Sequence, residues 1–159
     1  MPGIEDCTVP QTSFLLAHWR SLAGGPSLPD VGSIDPIELA PALGFVHLVE
    51  PLSSGEEFVY RIFATSVAGI SGGDLSGRRM SELRASDYVV DFGIASCGAV
   101  CDAKKPLVTR RRPARASFTA YWERVLLPFV GPNGGVERLL IGVAPVSAAG
   151  TVILPRAGL

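Results

Sequence analysis

The chain has little of what several classes of protein require. Its 159 residues include 3 cysteines and 2 histidines, and its net charge is −1, from 14 basic and 15 acidic residues. An odd number of cysteines without scaffold spacing fits a reducing compartment and not a disulfide framework. The balanced charge excludes an overall polycationic nucleic-acid binder, so nucleic acid is a disfavoured partner.

Long hydrophobic runs are also missing. No apolar run approaches the roughly 18–20 residues that a membrane-spanning helix needs. The N-terminal segment MPGIEDCTVPQ is acidic and lacks a basic region followed by an apolar stretch, which a secretory signal would show. We therefore expect a cytoplasmic protein with no membrane partner.

Apolar residues are plentiful, at 47% of the chain. At this length they predict one packed domain and exclude global disorder. We divide the chain into residues 1–42 (tail, leading helix and connector), 43–147 (core) and 148–159 (tail).

Periodicity and turn chemistry predict an α+β fold with an antiparallel sheet. A leading helix runs from Thr12 or Ser13 to about Ala23, and Asp35-Pro36 begins a second, short helix. The later elements are strands Phe45–Val49 and Phe58–Ala64, a short helix Ser66–Ile70, a long helix from Ser86 or Asp87 to about Asp102, and strands Leu107–Arg112, Phe118–Leu127 and Val136–Val146. The Asn133-Gly134 pair is a strong signal for a turn between the last two strands.

Six short motifs occur in a distinctive order. They are Leu16-x-x-Trp19-Arg20, Leu28-Pro29, Ile34-Asp35-Pro36, Phe58-x-Tyr60-Arg61, Gly73-Asp74-Leu75-Ser76-Gly77-Arg78 and Leu127-Pro128. Together with the element order over roughly Phe45 to Val146, they resemble the PAS domain family. The N-terminal motifs are similar to a subgroup of short bacterial single-PAS proteins with a leading helix.

The resemblance implies a fold and a role. The fold is a five-stranded antiparallel sheet with short helices and one long helix on its concave face, plus an N-terminal helix. The role is non-catalytic sensing and signal transduction by binding a small molecule, a partner protein or both. With no effector domain in the chain, output would pass to an unidentified signalling partner.

Strand and helix alternation predicts which residues line a pocket between sheet and helices. The ligand-binding candidates are Phe45, Tyr60 (or Val59), Phe63, Ile70, Leu75, Ile94, Tyr121, Val125 and Ile141. A pocket that is mainly apolar with few polar groups is typical of a small-molecule site. Tyr60 has two interpretations, a ligand hydrogen bond or a structural one.

The leading helix carries an apolar stripe of Leu15, Trp19 and Leu22, with His18 beside it. Such a stripe needs a partner surface, either the chain's own sheet or the same helix of a second copy. We expect a homodimer and take these four residues as partner-binding candidates.

The identity of any cofactor is left open, although the resemblance disfavours two. Haem-binding PAS domains generally use a histidine on the long helix, which has none here, and flavin photosensors use a cysteine where this chain reads SELRAS. Cys97 and Cys101 lie one turn apart on an apolar stripe, so buried small hydrophobes are favoured over a metal or redox site.

Two polar features have both structural and functional interpretations. Asp74 and Arg78 are candidates for a charge pair around the Gly77 turn, a structural role that we favour over ligand contact. The basic cluster is Lys104, Lys105, Arg110, Arg111, Arg112 and Arg115. A solvated face is favoured there over an anion or acidic-partner site, and alternation sends Arg111 opposite to its two neighbours.

Two rival functions stay open. One is a small isomerase- or hydratase-like enzyme with Glu57, Asp74 or Glu123 as its base, recognisable by a pocket acid of raised pKa beside a tyrosine. The other is a protein-interaction module with a filled core and no ligand. No nucleophile–base–acid set is evident, so we assign no catalytic residue.

Overall fold

The computed structural model describes residues 7–52, 55–71, 73–113 and 117–154, with Ile70 and Ser71 described by backbone alone. The side chain of Ile70, a pocket candidate, and Arg115 of the basic cluster therefore lie outside the described residues. Within these ranges, no helix has the length and apolar character needed to cross a membrane.

Five antiparallel strands form one sheet. They are β1 (Val46–Pro51), β2 (Phe58–Ile62), β3 (Leu107–Arg111), β4 (Tyr121–Val130) and β5 (Val136–Val146), in the spatial order β2-β1-β5-β4-β3. The α+β class and the five-stranded antiparallel sheet predicted above are confirmed.

Three α-helices and three short 3-10 helices complete the described fold. The α-helices are α1 (Pro10–Leu22), α2 (Thr65–Ser71) and α3 (Asp87–Ala103); the 3-10 helices are Val31–Ser33, Ala40–Ala42 and Met80–Glu82. Helix α3 begins where Ser86 Oγ accepts a hydrogen bond from the Val89 amide, at 3.4 Å. It ends at Lys104, whose φ of 53° closes the last turn.

Three element predictions were wrong in detail. Helix α1 begins at Pro10, because proline at the first helical position needs no amide partner. Asp35 starts a turn instead of a helix, since its Oδ1 accepts from the Ile37 amide at 2.9 Å. Pro36 and Pro41 have no backbone N–H groups to donate, so they do not support a longer helix. Strand β4 begins at Tyr121, three residues after the predicted Phe118, and continues to Val130.

The sheet has two buried faces. We call the first the cavity face; it presents Val49, Tyr60, Trp122, Leu126, Leu139, Ile141 and Val143, which pack towards α2 and α3. We call the second the α1 face; it presents Val46, Val108, Val125, Leu127, Phe129 and Leu140, which pack beneath α1 and the connector after it. Because both faces are covered, β4 and β5 are buried along most of their length.

Helix α1 is held closely against the sheet. Leu15 is fully buried, and a Cβ atom on Gly142 of β5 would lie 2.7 Å from Leu15 Cδ1. Only glycine leaves room for this approach. At the other end of the helix, Trp19 Nε1 donates a hydrogen bond to the Pro128 carbonyl of β4, at 2.9 Å.

A buried carboxylate ties the chain before α1 to β4. Glu123 is fully buried on the α1 face and accepts from Thr8 Oγ1 at 2.8 Å and from Thr12 Oγ1. It also accepts from the Thr8 and Val9 amides and pairs with Arg110 Nε at 3.2 Å. Burial raises the pKa of this carboxyl group, but these hydrogen bonds lower the pKa further, so the net shift is downward.

Candidate functional site

A cavity of about 810 Å³ lies between the cavity face of the sheet and the helices that cover it. Its apolar walls are Val67, Met80, Leu83, Val89, Val90, Phe92, Trp122, Ile141 and Val143. Its polar lining is His47, Tyr60, Ser86, Arg84, Arg111 and Arg124. Every strand and α3 contribute to the lining, and the cavity opens to solvent beside the exposed residues Arg84, Ala85 and Ser86.

Arg124 is the principal charged group of the cavity. It lies between Trp122 and Leu126 on the cavity face of β4 and is half-buried. Its Nε donates to Thr109 Oγ1 at 3.2 Å, and an Nη donates to Ser96 Oγ at 2.7 Å. The guanidinium carbon lies 5.1 Å from the centre of the Phe92 ring, which adds a cation–π contact.

The charge of Arg124 has no carboxylate partner within the described residues. Burial lowers the pKa of its guanidinium, and the nearby Arg111 adds to that shift. Guanidinium groups stay protonated in proteins, so the site keeps a positive charge at neutral pH.

His47 of β1 is a neutral hydrogen-bond donor facing the cavity. Its Nδ1 accepts from the Ala64 amide at 2.9 Å, so the ring proton lies on Nε2. Burial, with a contribution from Arg124, lowers the pKa of His47 to about 3. The ring is fixed against Tyr60 and Phe63, with centroid distances of 5.0 and 4.7 Å.

Tyr60 of β2 also lines the cavity, edge-on to Phe63 at 4.9 Å. Burial raises the pKa of its hydroxyl, which therefore stays protonated. Across the part of the chain that the structure describes, the hydrogen bond from the Ala64 amide to His47 Nδ1 is the one hydrogen bond made by a side-chain atom of His47 or Tyr60. The Tyr60 hydroxyl and His47 Nε2 therefore stay available to a ligand that accepts hydrogen bonds.

The predicted pocket residues fall in several places. Tyr60 and Ile141 line the cavity; Phe63, Leu75 and Ile94 belong to the same core cluster without lining it. Val125 lies on the α1 face, whereas Phe45 and Tyr121 join a separate cluster with Val9 and Val146. Tyr121 and Val125 were predicted to face the pocket, but they lie on the face of β4 that points away from the cavity.

The partner-binding candidates on α1 already have a partner inside the chain. Leu15 and Trp19 are buried against the α1 face, and Leu22 packs on the same cluster. His18 stacks on Phe14 and its Nε2 lies 3.5 Å from a Glu38 carboxylate oxygen. The stripe therefore does not need a second copy to bury it.

The basic cluster is divided by strand alternation, as expected. Arg111 lines the cavity, while Arg110 pairs with Glu123 on the α1 face and lies 6.0 Å from the Tyr121 ring centre. Lys104 Nζ donates to the Gly134 carbonyl at 3.1 Å, and Lys105 and Arg112 are exposed.

The Asp74–Arg78 loop has a structural role at the edge of β2. Asp74 accepts from the Ser76 amide and hydroxyl, at 2.8 and 2.7 Å. The expected Asp74–Arg78 pair is replaced by Arg78 with Glu82, at 3.5 Å. Gly77, with φ of 82°, donates to the Tyr60 carbonyl, so the loop is hydrogen-bonded along the free side of the strand that carries Tyr60.

The two helical cysteines belong to the core. Cys97 is fully buried and Cys101 half-buried, and burial raises their pKa values to about 12 and about 11. Both thiols are therefore protonated at neutral pH. In the described ranges, no group of three or more histidine, cysteine or acidic residues is arranged to hold a metal ion.

None of the three candidate bases meets the criterion of a raised pKa. The pKa values of Glu57, Asp74 and Glu123 are all lowered, by hydrogen bonds that stabilise the carboxylate. None of the three lines the cavity.

Sequence reasoning missed His47, Trp122 and Arg124 as site residues. Arg124 carried a recognisable signal, because it alternates with Trp122 and Leu126 on one face of an otherwise apolar strand. His47 gave a weaker signal of a site residue, since it stands inside the apolar run Phe45–Val49 and single histidines in such runs are usually structural.

Comparison with known proteins adds a family. A family model described as PAS domain matches residues 7–144, which include α1 and nearly all of the sheet. No curated protein and no solved structure matches. PAS domains are in general sensory and signalling modules and not catalysts. From this match and its five-stranded antiparallel sheet, we conclude that the chain belongs to the PAS domain family.

Proposed function

We propose that this protein is a non-catalytic sensory module that binds a small molecule in the cavity and relays its binding to a partner protein. The observation that carries the proposal is the cavity itself, with a volume of about 810 Å³. Small-molecule pockets typically measure about 300–1,000 Å³ and combine apolar walls with a few polar groups. This cavity has both properties, whereas a ligand-free interaction module would have a filled core.

Strand β4 supports a route from ligand to output. Trp122 and Arg124 project from its cavity face, and Glu123 and Val125 project from its α1 face. A ligand that moves Arg124 would therefore shift Glu123, which holds Thr8 and Thr12 at the start of α1. The relay is a population shift between two positions of α1, and a ligand changes it only by preferring one of them.

Native mass spectrometry of the protein purified from its own host tests the proposal. We expect a retained small molecule, seen as added mass. In Val90→Trp, the indole would occupy the cavity that Val90 lines, so the added mass should disappear. Ala95→Trp is the matched control, because Ala95 is an exposed position of the same helix. Unliganded wild-type protein would instead support the interaction module.

We include a homodimer in the proposal, with its contact on the outward face of α1. Ala17, Arg20 and Ser21 are exposed there, whereas Leu15 and Trp19 are buried within the chain. Sedimentation velocity across a hundredfold concentration range should show a dimer, and Ala17→Arg should weaken it. A concentration-independent monomer would contradict this part of the proposal.

A cytoplasmic location completes the proposal. Cys7, Cys97 and Cys101 are all free thiols in the structure, as a reducing compartment would keep them.

A further inference from the structure

The polar lining of the cavity is rich in positive charge and hydrogen-bond donors, a property on which the proposed function does not depend. Arg84, Arg111 and Arg124 bring three positive charges to it, and no aspartate or glutamate is among its described lining residues. His47 Nε2 and the Tyr60 hydroxyl add neutral donors that make no hydrogen bond to another described residue. The lining thus offers several donors and an uncompensated positive charge.

A half-buried arginine without a carboxylate is costly unless something else accepts from it. Two of its five N–H groups are used, by Thr109 and Ser96. Those bonds and the Phe92 ring fix the plane of the guanidinium, so the remaining donors are held in place before a ligand arrives. A preorganised guanidinium fork matches the two oxygens of a carboxylate or a sulfonate.

We infer that the ligand is a small organic acid whose anionic head binds Arg124 and whose apolar body packs against Trp122, Ile141 and Phe92. This inference rests on the proposed function, because it assigns the ligand class of the same cavity. A fully hydrophilic anion such as inorganic phosphate is not the best ligand, because it has no apolar surface to pack against the apolar walls.

A pair of fluorescent probes that differ only in the acid group tests the inference. 8-Anilinonaphthalene-1-sulfonate carries a sulfonate on an apolar body, and N-phenyl-1-naphthylamine is the same body without it. We expect the wild-type protein to bind the sulfonate at least about tenfold more tightly than the neutral probe, because charge-assisted hydrogen bonds are the strong ones. Val90→Trp, whose indole would occupy the cavity, should weaken binding of both probes, which would place them in the cavity.

Arg124→Met removes the charge and keeps the apolar stem. It should weaken binding of the sulfonate about tenfold or more while changing binding of the neutral probe less than about twofold. Arg112→Met is the matched control, since Arg112 is exposed beside β3 and does not line the cavity. It should leave both affinities unchanged.

The outcomes separate the inference from the proposed function. Equal binding of both probes with no effect of Arg124→Met would overturn the organic-acid inference and leave the cavity as a ligand site. Binding of neither probe would overturn both. If Arg124→Met does not fold, the wild-type ratio and its displacement by decanoate but not by 1-decanol still decide the question.

Discussion

At the scale of single residues, β4 places two charged side chains next to each other in sequence and on opposite faces of the sheet. Glu123 accepts hydrogen bonds from the chain before α1, and Arg124 faces the cavity. The two side chains are stabilised by different means. Glu123 accepts hydrogen bonds and forms an ion pair with Arg110. Arg124 donates to the hydroxyl groups of Thr109 and Ser96 and lies over the Phe92 ring. Strand β4 therefore contacts both the N-terminal end of α1 and the cavity.

Glu123 predicts a specific dependence of stability on pH. Its pKa in the folded protein lies below its ordinary value of 4.5, so its contribution to the free energy of unfolding is present above that pH. The contribution is lost as the pH falls through the lower, folded-state pKa. Glu123→Gln should reduce the free energy of unfolding at pH 7 by about 2 kcal/mol and lose this acid-dependent component.

Urea unfolding of both proteins between pH 7 and pH 3 measures the difference. Asp91→Asn is the control, because Asp91 is an exposed carboxylate on α3. Parallel stability curves for wild type and Glu123→Gln over that range would show that the carboxylate charge is not what anchors α1.

The residues of the site show where sequence reasoning reached its limit. Tyr60 and Ile141 were predicted because they stand in strongly apolar strands with clear alternation. Arg124 was not predicted as a cavity residue, because the pocket was assigned to the face of β4 that carries Tyr121 and Val125. The fate of a buried charge depends on Ser96 and Thr109, which lie 28 and 15 residues away in sequence.

At the scale of elements, α1 approaches β5 closely because the glycine at position 142 has no side chain. A Cβ on Gly142 would lie 2.7 Å from Leu15 Cδ1 and 3.0 Å from Val125 Cγ1. These neighbours are buried and cannot move aside freely. Helix α1 is therefore fitted to the sheet at this point and held at both ends by hydrogen bonds.

Gly142→Ala should therefore destabilise the protein by about 1–3 kcal/mol, the usual effect of overpacking a core. It should also alter the near-ultraviolet circular dichroism of Trp19, which lies on the same helix. Gly135→Ala, in the turn before β5, is the control because its Cβ would meet no atom within 4 Å. Equal stability of the two variants would mean that α1 is packed more loosely than the structure shows.

Most elements were predictable from local pattern, and the failures have local causes. Strand β5 was predicted with both ends correct, because a turn signal precedes it and the apolar run Leu139–Val146 fills most of it. Asp35 satisfied the rules for a helix start, but two prolines within seven residues removed the amides that a helix needs. Which face of β4 borders the cavity depends on where α3 packs, and alternation alone does not contain that information.

At the scale of the whole molecule, the sheet separates two packed layers. Helix α3 and its neighbours enclose the cavity on one face, and α1 packs on the other. We infer that α1 reports on the cavity through β4, since that strand contacts both layers. The relay requires that a ligand bound on one face change the exchange of backbone amides on the opposite face.

Hydrogen–deuterium exchange with and without a cavity ligand, here 8-anilinonaphthalene-1-sulfonate, tests this claim most directly. We expect slower exchange in α3 and β4, together with a changed rate in residues 8–22, and we expect Glu123→Gln to abolish the change in residues 8–22 alone. Protection confined to α3 and the cavity face, with α1 unaffected in the wild type, would contradict the relay.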